Sequence, residues 1–412
     1  MKTVGIIAEY NPFHNGHLYQ INQIKKITNA DYVIVVMSGN FVQRGNPAIT
    51  DKYARTKMAL LNNVDAVFEI PVCYATASAE YFAYGAVNLL QKLGVVDYLC
   101  FGSECADLPL MKIIADYLLE EPSSYKEALL HFQKSGETYP KARALAISET
   151  LVNSPYSSKK ICDVLTSPNN ILGIEYLKAL SKLGSSIQPI TIRREGASYH
   201  SEQLNENNPS ATAIRKHIIE ANPSLKASNL PSTCIDILKK AYQHTCPITP
   251  DDFSSLLYYQ LLMKADEIAT FQDVSDDLSN RIQNLLTPAL SFTSFAQDLK
   301  TKQLTATRIQ RSLLHILLNL KQTDFDFFHS NQIMYARLLG FRKTSSTILR
   351  EIQTNSQIPV ITKLGDAKAL MSESEYAMFL NDINASHIYN QVVFSKFLHN
   401  LKDEYTVGPV II

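Results

Sequence analysis

Residues 4–17 constrain the fold of this chain more than any other stretch. The β-branched run at 4–7 predicts a buried strand, and Asn11-Pro12 ends it before His14-Asn15-Gly16-His17 opens a helical pattern. Backbone N–H groups at a helix N-terminus lack intrahelical partners, and the helix dipole favours negative charge there. The junction therefore predicts a phosphate site, in which Gly16 lets the backbone approach a ligand and both imidazoles can donate hydrogen bonds.

Strands and helices alternate after this junction. Residues 32–37, 64–72, 98–101 and 187–192 have strand patterns, and the segments between them have helical ones. The alternation predicts an α/β fold with a parallel sheet covered on both faces. A helical stretch at about 107–165 is interpreted as an insertion. No strand is predicted after residue 228, so we divide the chain into a sheet domain at 1–227 and a helical C-terminal domain at 228–412.

Two further segments bring cationic and hydroxyl groups to the same predicted edge of the sheet. Arg193 and Arg194 end the strand at 187–192, where open α/β sheets bind ligands. The run at 209–215 opens a helix with hydroxyls and an arginine in its first turn. Alone, this run predicts only a good N-cap. Together with the histidines it predicts a second anion site, formed by Ser210, Thr212 and Arg215.

Composition limits the class of protein. The chain has 412 residues, 46% hydrophobic and 19% charged, with no net charge. We therefore expect a soluble protein of more than one domain that holds any nucleic acid through a local basic patch. The six cysteines contain no C-x-x-C pair, so we expect reduced thiols and no metal site. No stretch is long enough to span a bilayer and no leader pattern is present, so we expect a cytoplasmic protein without membrane contact.

Positive charge is concentrated between residues 300 and 350. That stretch has nine Lys/Arg against two Asp/Glu, whereas 251–299 has two against eight. Arg308, Arg311 and His315 fall on one face of a predicted helix and apolar residues on another. The pattern fits a solvated helix face. It also fits a surface that contacts nucleic-acid phosphates and extends to Arg337, Arg342, Lys343 and Arg350.

The motifs resemble those of a known superfamily and, more closely, of one family within it. His-x-Gly-His after a first strand resembles the signature of the nucleotidylyltransferases, and 210–215 resembles their second signature, with Pro209 and Ala211 as departures. No P-loop or G-x-G-x-x-G motif is present. Residues 5–19, 38–45, 101–104 and 168–173 together resemble the bacterial tRNA(Met) cytidine acetate ligase family. The resemblance extends through 305–318 and 337–341.

The resemblance implies a Rossmann-like ATP-binding domain at 1–227 and a tRNA-binding helical domain at 228–412. The enzyme would activate acetate with ATP as acetyl-adenylate, and Mg²⁺ is a further candidate. It would then acetylate N4 of the wobble cytidine of elongator tRNA(Met). His14 and His17 would be catalytic, and the tRNA would contact Arg308, Arg311, His315, Arg342 and Lys343. The implied ATP site, with the second anion site added from the residues themselves, comprises Ile7, Ala8, Glu9, Tyr10, Asn11, Pro12, Phe13, His14, Asn15, Gly16, His17, Leu18, Tyr19, Gln20, Gly102, Asn169, Arg194, Ser210, Thr212 and Arg215.

Two alternatives remain open from the sequence. One is a nucleotidylyltransferase that acts on a small phosphorylated metabolite, which predicts a compact catalytic domain and gives no reason for a basic C-terminal region. The other is an RNA-binding protein whose nucleotide pocket has lost catalysis. The presence of His14, Gly16 and His17 together argues against it.

Overall fold

The computed structural model describes residues 1–151, 154–194, 210–220 and 229–412. Over these ranges the main sheet has the strand order β10-β8-β5-β2-β1-β6-β7, with β9 also paired to β8, while β3 and β4 form a separate hairpin. The strands are β1 (Thr3–Ala8), β2 (Tyr32–Ser38), β3 (Phe41–Val42), β4 (Asn46–Pro47), β5 (Ala66–Ile70), β6 (Tyr98–Ser103), β7 (Gln188–Arg193), β8 (Ala336–Phe341), β9 (Val360–Ile361) and β10 (Val410–Ile411).

Helices surround this sheet. Within the described ranges, none is long and apolar enough to cross a membrane. The helices are α1 (Asn15–Thr28), α2 (Lys52–Leu61), α3 (Val72–Ala75), α4 (Ala79–Lys92), α5 (Leu108–Glu120), α6 (Ser123–Lys134), α7 (Tyr139–Thr150), α8 (Ser158–Thr166), α9 (Pro168–Lys182), α10 (Ala211–Ile219), α11 (Ser232–Ala241), α12 (Ser254–Met263), α13 (Asp276–Leu285), α14 (Phe292–Asp298), α15 (Ala306–Leu317), α16 (Gln322–Ser330), α17 (Ser346–Asn355), α18 (Ala367–Leu370) and α19 (Glu373–Phe397).

The central strands are parallel and apolar on both faces. β1 pairs in parallel with β2 and β6, and β2 pairs in parallel with β5. Successive side chains of a strand point to opposite faces. In β2, Ile34 and Val36 join the core under α4 and α9, while Val33 and Val35 join the core under α1 and α2. The predicted α/β class is confirmed, because such a sheet is stable only when both faces are covered.

The helical insertion packs into the core of the sheet. Helices α5 to α8 occupy 108–166, where the sequence predicted a helical stretch. Tyr125, Ile147 and Ile161 are almost fully buried, in the same apolar cluster as Phe82 of α4 and Ile174 of α9. The insertion is therefore held to the sheet by shared apolar burial, which is the main favourable term in folding.

The C-terminal half supplies strands that the sequence did not reveal. β8 pairs antiparallel with β5, and β9 and β10 pair in parallel with β8. The expectation that no strand follows residue 228 is therefore wrong, although this half is mostly helical as predicted. β9 and β10 have two residues each, too few to show a period of two. The division at 227/228 stays a prediction, and residues 221–228 lie outside the described ranges.

A buried ionic network joins β8 to the rest of the sheet. Arg337, 1% exposed, lies 3.1 Å from a carboxylate oxygen of Glu69 and also pairs with Glu404. Lys52, fully buried at the start of α2, donates to Glu69 at 2.9 Å. Arg337 therefore cannot belong to the basic surface predicted from the sequence. Removing one partner from such a network leaves a buried charge uncompensated, which typically costs about 3–5 kcal/mol.

Candidate active site

A cavity of about 640 Å³ lies where β1, β6 and β7 end. Ile7 and Ala8 of β1, Gly102 of β6 and Arg194 after β7 line it, as do residues of the C-terminal half. This is the carboxyl edge of a parallel sheet, where α/β folds bind ligands. The lining includes fourteen of the predicted ATP-site residues, which are Ile7, Ala8, Glu9, Tyr10, Asn11, His14, His17, Gln20, Gly102, Asn169, Arg194, Ser210, Thr212 and Arg215.

His14 and His17 together cap the N-terminus of α1. His14 is the N-cap residue, and its Nδ1 accepts from the Gly16 backbone N–H at 3.1 Å. The His17 Nδ1 accepts from the His14 backbone N–H at 3.2 Å. The two imidazole rings stack, with their centroids 3.8 Å apart. A neutral imidazole whose Nδ1 accepts carries its proton on Nε2. Both rings therefore present an Nε2–H donor, and both line the cavity.

Both histidines are held in the neutral form. Burial lowers the pKa of His14 to about 3, and the nearby Arg194 and Arg215 guanidiniums lower it further. Burial also lowers the pKa of His17 well below its usual range, with His14 and Arg194 adding to the effect. The rings thus donate hydrogen bonds without carrying charge at neutral pH, and the positive charge of the site comes from arginines.

Gly16 serves the histidine cap rather than a ligand. It does not line the cavity, and a Cβ there would lie 2.9 Å from Cε1 of His14. The expectation that Gly16 admits a ligand is therefore not met by its position. A side chain at this residue would displace the His14 ring that caps the helix. Five more predicted residues also lie outside the lining, and they are Pro12, Phe13, Asn15, Leu18 and Tyr19.

The second predicted anion site lies against the first. Ser210 is the N-cap of α10, and its hydroxyl accepts from the Ala213 N–H at 3.1 Å. Arg215 donates to the Asn11 carbonyl at 2.9 Å and to the Thr212 hydroxyl at 3.1 Å. These bonds join α10 to the loop that precedes the histidines. The two motifs therefore form one site, as the sequence predicted, although Pro209 lies outside the described residues.

Arg194, Asn169 and Gly102 form a third group in the cavity wall. The Arg194 guanidinium donates to the Asn169 side-chain oxygen at 3.4 Å, and the Asn169 amide donates to Glu104 at 2.7 Å. A Cβ on Gly102 would lie 3.1 Å from Cγ of Arg194. The absence of a side chain at Gly102 thus leaves room for Arg194 to cross the end of β6.

The opposite wall comes from the hairpin and from α15, which the sequence did not place here. Thr305, Thr307 and Arg311 line the cavity, together with Arg44 in the turn between β3 and β4. Gly45 in that turn has φ +76°, and a Cβ there would overlap the Arg311 backbone. The hairpin therefore packs directly on α15. Counting both walls, the described lining contains four arginines and one carboxylate, Glu9, which favours a polyanionic ligand.

The predicted nucleic-acid face of α15 is largely buried. His315 is fully buried, where Nδ1 donates to the Gln272 carbonyl at 2.9 Å and Nε2 lies 3.1 Å from both oxygens of Thr76. Arg311 is 9% exposed and its Nε donates to Asp273 at 2.9 Å. The prediction of one exposed face is therefore wrong for these two residues. Arg308 is half-buried and remains available at the surface.

Arg342 and Lys343 lie far from the cavity. Because β8 runs antiparallel to β5, its last residue, Phe341, pairs with Ala66 at the amino end of β5. The Arg342 N–H accordingly donates to the Asp65 carbonyl, just before β5. These two residues thus lie at the opposite edge of the sheet, roughly 20 Å away along a six-residue strand. The predicted basic surface is divided into two separate patches.

The chain is similar to known proteins over nearly its whole length. The family model for the HIGH nucleotidyl transferases matches residues 1–404. The tRNA(Met) cytidine acetate ligase of Halothermothrix orenii is 44% identical over 370 residues, which cover 88% of this chain and 87% of that protein. Apo TmcAL of Thermotoga maritima superposes with a TM-score of 0.93, 30% identity and full coverage of both chains. Its form bound to α-thio ATP gives a TM-score of 0.91 at the same identity and coverage.

Proposed function

This chain belongs to the tRNA(Met) cytidine acetate ligase family, as its sequence resemblance predicted, and we propose that it catalyses the reaction for which that family is named. In the first step, an acetate oxygen attacks the α-phosphorus of ATP, which releases pyrophosphate and forms acetyl-adenylate. In the second step, the acetyl group passes to N4 of the wobble cytidine of elongator tRNA(Met), which releases AMP. The tRNA substrate makes the cytoplasm the proposed location.

The lining of the cavity carries this proposal. Arg194 and Arg215 supply positive charge beside the Nε2–H donors of His14 and His17, and Ser210 begins a helix whose N-terminus faces the same space. Attack on a phosphate needs positioning and charge neutralisation more than a covalent nucleophile. The ATP analogue in the Thermotoga structure supports ATP as the nucleotide. Because Glu9 is the one carboxylate of the described lining, any Mg²⁺ would be held chiefly by the triphosphate.

Two of the five tRNA-binding residues predicted from the sequence, Arg311 and His315, are buried. We propose that Arg308 contacts the RNA near the cavity and that Arg342 and Lys343 form a second, distant patch. Arg311 is reassigned to the substrate cavity because it is buried in the wall, and His315 is removed because no surface of its ring is exposed. RNA affinity rests mainly on cationic contacts to phosphates, so each of the three remaining residues contributes separately.

The residues that form the cavity also argue against the two alternative functions. A compact nucleotidylyltransferase would complete its site within one sheet domain, whereas here α15 of the C-terminal half and its N-cap Thr305 supply Thr305, Thr307 and Arg311. A protein that had lost catalysis would have no need to keep both Nε2–H donors aimed into an arginine-rich cavity. The site therefore supports an enzyme whose two halves act on one reaction.

The direct test uses ATP, labelled acetate and tRNA. Digestion of the RNA to nucleosides should give labelled N4-acetylcytidine, formed only when ATP is present and accompanied by AMP and pyrophosphate. Absence of labelled acetylcytidine, or labelling without ATP, would overturn the proposal. Transfer of AMP to a small phosphorylated metabolite instead would support the alternative.

A further inference from the structure

Glu9 is the one charged residue of the cavity that cannot serve a polyphosphate. It follows the last residue of β1 and is half-buried in the lining. The other charged residues of the described lining are Arg44, Arg194, Arg215 and Arg311. A carboxylate repels phosphate oxygens, so its inclusion in the ATP site predicted from the sequence needs another explanation.

The main chain of Glu9 is held in place from within the protein. Its carbonyl accepts from Arg55 Nη1 at 2.7 Å. Arg55 is fully buried and also donates to the carbonyls of Thr50 at 3.1 Å and Ser38 at 3.0 Å, and to that of Gly39. One cation thus joins the carboxyl ends of β1 and β2. Glu9 is fixed at the edge of the sheet before any ligand binds.

The side chain of Glu9 is oriented but not fully used. Its Oε1 accepts at 3.0 Å from the backbone N–H of Gln43, the residue that follows β3. No other described residue donates to this carboxylate. The second oxygen therefore retains its capacity to accept a hydrogen bond from a ligand in the cavity. A donor that enters the cavity beside the adenylate would find this acceptor at the end of the central strand.

An exocyclic amine is the kind of ligand group that suits such an acceptor, because it donates hydrogen bonds. Cytosine presents its N4 amino group as a donor, and Glu or Asp side chains are the usual acceptors for it. Uracil presents the O4 oxygen at the same place, which a carboxylate would repel. A carboxylate can also accept the proton that an attacking amine must lose. Glu9 thus combines selection of cytosine with general-base chemistry.

We propose, resting on the function proposed above, that Glu9 binds the N4 amine of the target cytidine and accepts its proton during acetyl transfer. The N4 lone pair attacks the carbonyl carbon of acetyl-adenylate and forms the C–N bond. Collapse of the intermediate breaks the bond between that carbon and the phosphate oxygen, and AMP leaves with the electron pair. The proton lost from N4 goes to the Glu9 carboxylate and then to solvent. Glu9 has no part in forming the adenylate.

The test separates the two half-reactions in Glu9→Gln. Glutamine keeps an acceptor for the Gln43 N–H, so the fold and the hairpin should be unchanged. Adenylate formation, measured as acetate-dependent exchange of pyrophosphate into ATP, should stay within about twofold of wild type. Single-turnover acetyl transfer to tRNA should fall about 10²-fold or more, the usual contribution of a general base. The matched control is Glu80→Gln, which removes the same charge beside Ala79 of the lining and should leave both steps unchanged.

A second measurement tests recognition rather than proton transfer. Wild type should bind tRNA with the wobble cytidine about tenfold more tightly than the same tRNA with uridine there, and Glu9→Gln should lose most of that ratio because an amide can pair with either base. Loss of adenylate formation in Glu9→Gln, or a raised KM for ATP, would assign Glu9 to the nucleotide and overturn the inference. Normal transfer by the variant would overturn it as well. If wild type itself formed no acetylcytidine, the proposed function would fail first.

Discussion

Two histidine sites in this protein differ in the contacts that their ring nitrogens make. His14 and His17 at the start of α1 use Nδ1 to cap their own helix, and no described residue bonds to Nε2 of either ring. His315 in α15 has both ring nitrogens in contact with the protein. Burial is the largest cause that lowers the pKa of all three. Burial and a lowered pKa are therefore common to both sites, and the Nε2–H donors that face the cavity distinguish the first site from the second.

The largest effect is expected from a variant that removes a donor of the first site and keeps the cap of helix α1. Asparagine is a favoured N-cap residue, so the Oδ1 of His14→Asn can still accept from the helix N-terminus, but its shorter amide cannot place an N–H donor at the position of Nε2. Adenylate formation should fall about 10²–10³-fold, the usual cost of losing one donor to a developing charge. The readout is acetate-dependent exchange of pyrophosphate into ATP. His14→Ala loses the cap as well and should also destabilise the protein by about 1 kcal/mol.

Near-normal exchange in His14→Asn would mean that the ring acts only as a cap. Binding of tRNA supplies the control, because the proposed RNA contacts are on other elements. A parallel loss of tRNA binding would show instead that the variant disturbs the cavity as a whole.

The second site should respond in the opposite manner. His315→Ala removes buried bonds to Gln272 and Thr76 and leaves a void beneath α15. We expect a loss of about 3 kcal/mol in the free energy of unfolding, measured by urea denaturation. The folded fraction should keep its activity within a few-fold, because the ring does not reach the cavity. A loss of exchange as large as that of His14→Asn, with unchanged stability, would contradict the comparison.

The same contrast explains what the sequence could predict. The histidine cap is local, since its donors and acceptors lie within four residues, and its motif is therefore readable from sequence. A helical period identifies the polar face of α15 but not what covers it. Asp273 covers Arg311 and Thr76 covers His315, and both come from elsewhere in the chain. Buried polar residues with distant partners have no sequence signature of their own.

The direction of strand β8 also could not be predicted from the sequence. The sequence pattern at 336–341 is compatible with either direction, and only the pairing of Phe341 with Ala66 places Arg342 at the far edge of the sheet. By contrast, the parallel order of β1, β2 and β5 followed from their alternation with helices. The two anion motifs were therefore predicted to meet, and they do, whereas the basic stretch was predicted as one surface and is two.

A smaller effect concerns stability in acid. The pKa of His14 is about 3 in the folded protein, whereas an unfolded histidine titrates near 6.5. The unfolded chain therefore binds more protons between these values, and stability falls as the pH is lowered through that window. From pH 7.5 to about 5.5 this histidine should lower the free energy of unfolding by about 1.4 kcal/mol. Urea denaturation of wild type and His14→Asn at both pH values should show a smaller decrease for the variant. An equal decrease would mean that the His14 ring is charged in the folded state.

The smallest expected effect tests the division of the basic surface. Arg308→Gln and Lys343→Gln should each weaken tRNA binding a few-fold and lower the slope of log affinity against log salt by about 0.7–0.9. Because the two residues lie at opposite edges of the sheet, the losses should add in the double variant. If the slope changes for Arg308→Gln and not for Lys343→Gln, the RNA contacts only the side of the protein that carries the cavity. If neither variant changes tRNA affinity or its salt slope, neither residue contacts the RNA and both are simply solvated. The tRNA would then have to be held by the arginines of the cavity itself.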